Sequence, residues 1–293
     1  MDITEKLNVD LPYFDWLLQE LSSEEGSALQ EVAGRNVHWG YWEKPVGADL
    51  SPDAISKATD ALTWQLINAV EPAPASKILD VGCGFGGTVG LLNANFEGVS
   101  LTGLNIDPRQ LEVAKKNVKA RSGNQIDFVQ GNACELPFPS DSFDTVFAVE
   151  CIFHFPSRDA FFREAVRVLK PGGKIVLSDF VLRLAWLPVT AVIFLLRRKA
   201  LVTMYGAHIK LACRSRYKFL AKKHGLDWIV ARDITKNTLP TYDAIERFAG
   251  TWKEQEALIR SANRPLALTS RMGALGYEIL AFKKSAASGS RAI

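Results

Sequence analysis

Residues 78–87, ILDVGCGFGG, constrain the fold of this chain more than any other segment. A short apolar run leads into Asp80, and glycines follow at positions 82, 84, 86 and 87. Glycine lets a backbone turn tightly and approach a ligand where a Cβ would clash. The N–H groups at the start of the helix that follows suit a carboxylate. The string alone is a weak signal, because dinucleotide-binding proteins share it and a purely structural turn also explains it.

A repeated pattern of strands and helices begins at this segment. The apolar and β-branched runs predict strands at 77–83, 99–106, 126–133, 142–150, 174–181 and 277–284, with a PGG turn at 171–173. The amphipathic spacing predicts helices at 53–70, 108–121 and 157–170. Strands that alternate with helices of this length predict an α/β protein with a doubly wound, parallel sheet.

Polar residues follow the second and third predicted strands. In doubly wound folds the end of strand two carries the group that binds ribose hydroxyls, and an acid is usual there. This chain has Asn105 at that place and Asp107 two residues later. An Asn side-chain oxygen still accepts a hydrogen bond from a hydroxyl. Asn132, after the third strand, is a candidate for the adenine edge.

Four segments in order, ILDVGCGFGG, LTGLNIDPRQ, GNACELPFPSDSFDTVFAVE and REAVRVLKPGGKIVLSDF, resemble the motifs of class I S-adenosylmethionine-dependent methyltransferases. The match covers roughly residues 75–180, and the order and spacing of the motifs make it specific. Upstream, NVHWGYWEKPVGADLSPDA is similar to the entry loop of the small-molecule methyltransferases of the tocopherol, sterol and rebeccamycin-sugar type. The resemblance implies a Rossmann-like, mostly parallel, seven-stranded sheet with a helical N-terminal region and a helical lid insertion.

The resemblance also implies a cofactor site and a domain plan. S-adenosyl-L-methionine is the expected cofactor, and a sulfonium cation is well placed against aromatic faces. The residues expected around it are Tyr41, Trp42, Asp80, Gly82, Gly84, Asn105, Ile106, Gln110, Asn132 and Ala133. The expected parts are an N-terminal region with the covering loop (1–52), the cofactor-binding core (53–180), the lid insertion (181–240) and the end of the sheet with the tail (241–293).

The chemical step needs an aligned acceptor and, for a hydroxyl acceptor, a base. The fourth strand ends in VECIFHF, so His154 lies just past the carboxyl end of a core strand and is the candidate base. Related sugar methyltransferases often carry two adjacent histidines here, whereas this chain has Phe153 first. Asp179 matches an acid of those relatives, and Glu150 matches an acid that similar C-methyltransferases place near the cofactor or a cationic intermediate. Each of these residues also has a purely structural interpretation, and no metal site is predicted.

Residues 181–226 contain ten Lys and Arg residues and no Asp or Glu, and the apolar run Leu184–Leu196 opens the segment. The run is shorter than the ~20 residues that a helix needs to span a bilayer. The segment is therefore either a lid over a hydrophobic substrate or a peripheral contact with an anionic membrane. A solvated charged face over an ordinary core helix is the plainer alternative.

The remaining features bound the function. The net charge of +3 and the absence of an RNA-binding module argue against a nucleic-acid partner. Four separated cysteines and no signal-peptide pattern favour reduced thiols in the cytoplasm. Three functions remain open: O-methylation of an amphipathic secondary metabolite with His154 as base, C-methylation of a prenyl, quinol or sterol-like substrate within aromatic rings (Trp39, Trp42, Phe153, Phe155), and a non-catalytic cofactor-binding scaffold.

Overall fold

The computed structural model describes residues 15–18, 36–206 and 210–285. The strands of this part of the chain are β1 (Lys77–Val81), β2 (Ser100–Asn105), β3 (Gln125–Gln130), β4 (Phe143–Val149), β5 (Leu169–Leu182), β6 (Ala212–Cys213), β7 (Leu226–Asp233) and β8 (Leu275–Lys284). The helices numbered here are α1 (Pro52–Val70), α2 (Gly87–Asn95), α3 (Pro108–Asn117), α4 (Arg158–Val168), α5 (Leu187–Leu196), α6 (Arg198–Tyr205), α7 (Arg214–Lys223), α8 (Thr235–Phe248) and α9 (Glu256–Arg271).

The strands form one sheet in the order β3-β2-β1-β4-β5-β8-β7, and the two-residue β6 pairs with β5. Strands β1 to β5 are mutually parallel where they pair. The predicted doubly wound, mostly parallel sheet of seven strands is confirmed, with β6 as a short addition. The strand order reverses at β1, which lies between β2 and β4. Ligands of such sheets bind in the crevice at the carboxyl ends of the strands on either side of this point.

Local sequence explains where the core helices begin. Asp107 caps α3, because its carboxylate accepts from the backbone N–H of Arg109 (2.9 Å), and Pro108 occupies the first turn. Ser157 caps α4 in the same way through the N–H of Ala160 (3.1 Å). Strands β1 and β4 are buried along nearly their whole length, as expected for the centre of a parallel sheet.

The prediction of a separate turn at 171–173 is wrong, because these residues lie within β5. The pairing of β4 with β5 changes register between Phe143 and Thr145, so the strand absorbs the irregularity without ending. A Cβ on Gly173 would lie 2.9 Å from the carbonyl oxygen of Lys170 and 3.0 Å from that of Asp144. Glycine at this position lets the two backbones approach.

The chain divides into two compact units, each made of three stretches. The first unit comprises Met1–Leu62, Phe180–Cys213 and Asp233–Glu278, and the second comprises Thr63–Asp179, Arg214–Arg232 and Ile279–Ile293. The insertion predicted at 181–240 is therefore split between the units. Residues 214–232 cluster with the sheet, because α7 buries Tyr217, Leu220 and Ala221 and β7 is a sheet strand.

The first unit has an aromatic interior. Trp39 packs edge-on against Phe180 and Tyr242, with ring centroids 5.2 and 5.6 Å apart, and Phe180 packs against Tyr277 at 5.0 Å. Helices α8 and α9 pack together, and α9 also contacts α5 and α6. Within the described ranges, each helix is too short or too polar to cross a lipid bilayer.

Candidate active site

The glycine-rich loop joins the carboxyl end of β1 to α2 and is held against β2. The backbone N–H groups of Gly82 and Cys83 both donate to the Leu104 carbonyl, at 2.7 and 3.0 Å. Gly82, Gly84 and Gly86 have φ values of +74°, +53° and +84°, which L side chains rarely adopt. The sequence therefore needs glycine at alternate positions to make this turn.

Two of these glycines have different surroundings. A Cβ on Gly82 would lie 2.7 Å from the Cβ and 2.9 Å from the Sγ of Cys151, so Gly82 makes room for the chain that follows β4. The Cys151 thiol in turn donates to the Val81 carbonyl (3.1 Å). A Cβ on Gly84 would instead meet only the Gln110 Oε1, at 3.7 Å, and otherwise point into open space. Of these two glycines, Gly84 is therefore the one that borders open space, and its contact with a ligand is a prediction.

Asp80, the last polar residue of β1, carries a buried carboxylate. Its side chain is 2% exposed, and both oxygens lack a hydrogen-bond partner within the described residues. Desolvation by burial raises its pKa to about 7. An orphaned carboxylate beneath a glycine loop fits a ligand with a cationic hydrogen-bond donor. The ammonium of the methionine half of S-adenosylmethionine is such a donor.

The end of β2 presents a polar pair to the same loop. The Asn105 side-chain amide donates to Gln110 Oε1 (2.9 Å), and both side chains are buried. Ile106 is partly exposed, and its carbonyl accepts from the Gln130 side chain (3.2 Å). Asp107 is used as the α3 cap and pairs with Arg109, with Nη2 and Oδ2 2.7 Å apart. The amide side chains are therefore the polar groups of this edge beside Gly84.

The turn after β3 is shaped by its own side chain. Asn132 Oδ1 accepts from the Cys134 backbone N–H (2.9 Å), and Ala133 is buried. This hydrogen bond fixes the turn. The expected contact of Asn132 with adenine stays a prediction.

His154 ends a short 3-10 turn, Ile152–His154, that follows β4. Its backbone N–H donates to the Cys151 carbonyl (3.0 Å), and its ring lies against Phe153 with centroids 4.4 Å apart. Burial lowers the pKa of His154 to about 4. The imidazole is therefore neutral near pH 7 and has a nitrogen lone pair for a proton.

Glu150, directly after β4, has a strained backbone. Its φ of +49° lies in the left-handed region, which is costly for an L side chain. Its N–H donates to the Oγ of Ser178 (3.1 Å), the β5 residue that pairs with Val149. Glu71, Ala75, Ser122 and Asp141 also have positive φ values, so the backbone of Glu150 is not by itself a mark of function, and its role at the crevice stays a prediction.

Asp179 lies in a fully buried network. Its Oδ2 accepts from Arg158 Nη2 (2.9 Å) and from the Tyr217 hydroxyl. Burial, together with the Asp179 charge, raises the pKa of Tyr217 well above its ordinary value. These bonds tie β5 to α4 and α7 and favour a structural role for Asp179. Sequence reasoning missed Arg158 and Tyr217, which are 21 and 38 residues away from Asp179 and share no local pattern with it.

Tyr41 and Trp42 belong to the first unit. Trp42 is buried and packs against Ile55, Ala58 and Ala244, while Tyr41 is partly exposed. The predicted approach of this aromatic loop to the sulfonium stays a prediction.

Hydrogen bonds to α1 and α8 hold the backbone of the loop that carries Tyr41 and Trp42. The Tyr41 N–H donates to the Ala58 carbonyl (2.8 Å), and the Trp42 N–H donates to the Asn237 carbonyl (2.9 Å). The Asn237 side-chain amide donates a hydrogen bond to the Trp42 carbonyl (2.7 Å). Asn237 is 195 positions from Trp42, so no local sequence pattern indicates this latch.

The comparisons with known proteins agree with this geometry. A family model described as a methyltransferase domain matches residues 79–177. Methyltransferase GfsG of Streptomyces halstedii is 35% identical over 219 residues, which cover 74% of this chain and 75% of that protein. The 27-O-demethylrifamycin SV methyltransferase of Amycolatopsis mediterranei is 30% identical over 263 residues, covering 87% and 92%.

The fold is also found among solved structures. Mycolic acid cyclopropane synthase CmaA1, complexed with SAH and CTAB, superposes with a TM-score of 0.73 at 17% identity and covers 89% of this chain and all of that one. Within the described ranges, no group of His, Cys, Asp and Glu side chains is placed to hold a metal ion. Two relatives that share most of their length with this chain are methyltransferases. The glycine loop and the unpartnered Asp80 carboxylate fit the same family. The chain belongs to the class I S-adenosylmethionine-dependent methyltransferases that act on small molecules, and S-adenosylmethionine is its cofactor.

Proposed function

We propose that this enzyme methylates a hydroxyl group of a small, hydrophobic or amphipathic metabolite, with His154 as the general base. The observation that carries the proposal is the position of His154 in the short turn that follows the carboxyl end of β4, the strand beside β1. Burial lowers its pKa to about 4, which leaves the imidazole neutral near pH 7. S-adenosylmethionine supplies a methyl group on a sulfonium for in-line displacement. His154 accepts the proton of the attacking hydroxyl. The Amycolatopsis relative, whose name specifies 27-O-demethylrifamycin SV, supports an oxygen acceptor.

The cofactor is held by residues of the β1 and β2 ends in this proposal. Asp80 binds the ammonium of the methionine half, since its buried carboxylate otherwise has no partner among the described residues. Gly82 and Gly84 shape the loop around that half, and Asn105 and Gln110 bind the ribose. The proposal keeps the other expected contacts, which are Tyr41 and Trp42 near the sulfonium and Ile106, Asn132 and Ala133 near the adenine.

The two acids near His154 have different roles in this proposal. Glu150 faces the crevice and orients the acceptor. Asp179 acts through the Arg158–Tyr217 network, which fixes the end of β5, and is a positioning residue.

The base is tested by His154→Ala. We expect turnover to fall by ~10²–10⁴-fold, the usual contribution of a positioned general base, while the affinity for S-adenosylhomocysteine stays within twofold. The pH profile supplies a second readout. Because the pKa of His154 is lowered to about 4, wild-type kcat/KM should fall only below about pH 5. A base with the ordinary histidine pKa would instead lose activity below about pH 6.5. A loss of less than threefold in turnover would exclude His154 as the base.

C-methylation of a prenyl, quinol or sterol-like substrate is the second candidate. The rings of Phe153 and Phe155 favour it, because Phe153 stacks near His154 and Phe155 is buried beside Phe161, with centroids 5.1 Å apart. Aromatic faces stabilise a cationic intermediate. In that case Phe153→Leu should reduce turnover more than His154→Ala does. Fragmentation of a product made with isotope-labelled cofactor distinguishes the C-methyl from the O-methyl outcome.

The proposal extends to where the enzyme works. The four cysteines form no disulfide, which supports a cytoplasmic location, where thiols stay reduced. The basic, acid-free residues 181–223 support a peripheral contact with an anionic membrane, from which a hydrophobic substrate would be taken.

A further inference from the structure

Helix α5 turns an aliphatic face outward. The helix contains no charged side chain, and it packs against α9 through its other side, where Thr190 is buried and Ile193 and Phe194 are half-buried. The outer side chains are well exposed: Leu184, just before the helix, at 59%, Val192 at 58%, Leu195 at 71% and Leu196 at 77%. This arrangement is the reverse of an ordinary surface helix, whose outer face is polar.

An aliphatic face of this kind needs an occupant. Water-soluble proteins rarely expose contiguous apolar patches unless the patch binds something. The helix is ten residues long, about 15 Å, so it reaches only half of the ~30 Å hydrocarbon core of a bilayer. The face can therefore enter a membrane surface but cannot cross it.

The basic residues beside α5 indicate what kind of surface its aliphatic face binds. Arg197, Arg198 and Lys199 follow α5 directly, and all three are exposed. Aliphatic side chains in the acyl boundary with adjacent cations at the headgroups are the pattern of an interfacial helix on anionic lipid. A second copy of the chain fits less well, since a two-fold interface on this face would bring two basic triplets to the same border.

We infer that the α5 surface, defined as Leu184, Val192, Leu195 and Leu196 with the triplet 197–199, docks on an anionic lipid bilayer. The inference narrows the contact proposed for residues 181–223. The exposed side of α7 is also basic, through Arg216, Lys218 and Lys222, but Phe219 is its one well-exposed large apolar side chain. The inference that the α5 surface docks on a bilayer also specifies the substrate as a molecule dissolved in the lipid phase, and this part of it rests on the proposed function.

The test is flotation of the full-length protein with vesicles of phosphatidylcholine alone or with one-third phosphatidylglycerol, at low and high salt. The wild type should float with the anionic vesicles at low salt and be released at high salt. Changing residues 197–199 to Gln should weaken binding by ~10²-fold, since each cation near the surface adds roughly a fivefold gain. Leu195→Ser with Leu196→Ser should also abolish flotation, without loss of thermal stability, because both side chains are exposed.

A matched control separates the surface from general charge. Arg216→Gln, Lys218→Gln and Lys222→Gln remove the same charge from α7 and should leave most of the binding intact. Equal losses in the two triple variants would overturn the inference. So would a wild type that ignores vesicles, or one that forms dimers through Leu195 and Leu196 in light scattering. Flotation needs no turnover, so His154→Ala protein should float normally, and the result is independent of the catalytic assignment.

Discussion

Asp80 is the residue where affinity and stability are expected to oppose each other. Its pKa is raised from 3.8 to about 7 in the folded protein, so the folded chain retains a proton that the unfolded chain releases from about pH 4 upward. The contribution of Asp80 to stability therefore falls as pH rises through this window, and above pH 7 the fold carries an unpaired buried charge.

Asp80→Asn removes that charge. At pH 8 we expect a higher melting temperature than in the wild type, by a few degrees, and ~10–10²-fold weaker binding of S-adenosylhomocysteine, the usual effect of losing a charge-assisted bond. Wild-type affinity should also rise between pH 6 and 8, and this trend should vanish in the variant. Calorimetry at both pH values measures each quantity, and equal affinities of the two proteins at pH 8 would contradict the role of Asp80.

Gly84 is a cleaner probe of the pocket than Gly82, whose Cβ would strike Cys151. Gly84→Ala should weaken cofactor binding at least tenfold, because the new methyl group occupies the open space beside Gln110. The left-handed backbone adds a folding cost of about 1 kcal/mol. Gly123→Ala is the control, since Gly123 has φ +71° and its new methyl group would have nothing within 4 Å. The two variants should lose similar stability, and only Gly84→Ala should lose affinity.

At the scale of elements, the aromatic loop at 38–42 depends on α8 for its position. Asn237→Ala removes the side-chain bond to the Trp42 carbonyl, worth about 1 kcal/mol. If the loop covers the cofactor, KM for S-adenosylmethionine should rise about fivefold with kcat within twofold. Asn95→Ala is the matched control, because it removes a similar bond to the Leu91 carbonyl at the far end of α2. An unchanged KM in Asn237→Ala would show that the latch serves the core of the first unit alone.

Elements with strong local signals were predictable. The glycine loop, the start of α3 at Pro108 and the apolar runs of β1 and β4 were predicted close to their observed positions, because a glycine turn, a proline in a first helical turn and buried strands each leave a local pattern. Strand β7, LDWIVARD, lies within the predicted insertion, and its alternating pattern follows a long basic segment with no turn signal of its own beyond Gly225. The irregular start of β5 looked like a turn because Pro171, Gly172 and Gly173 favour one locally.

At the scale of the whole molecule, the family and the sheet followed from ordered motifs, whereas the partners of individual site residues did not. Asp179 had an expected catalytic role, but Arg158 and Tyr217 reach it from two other helices. The place of Trp42 near the sulfonium stays a prediction, and the packing of its ring beside Ile55 and Ala244 is a contact that the sequence did not indicate. These contacts join residues far apart in sequence, so periodicity and composition carry no information about them.

The interleaving of the two units has a consequence for synthesis and for engineering. Each unit is assembled from three stretches, and β8 supplies residues to both, with Leu275–Glu278 in the first and Ile279–Lys284 in the second. Neither unit is complete on the ribosome until this last strand has emerged, so both must wait for it before they close. A chimera that borrowed the first unit from a relative would likewise need three separate grafts, because no single continuous block of the chain contains that unit.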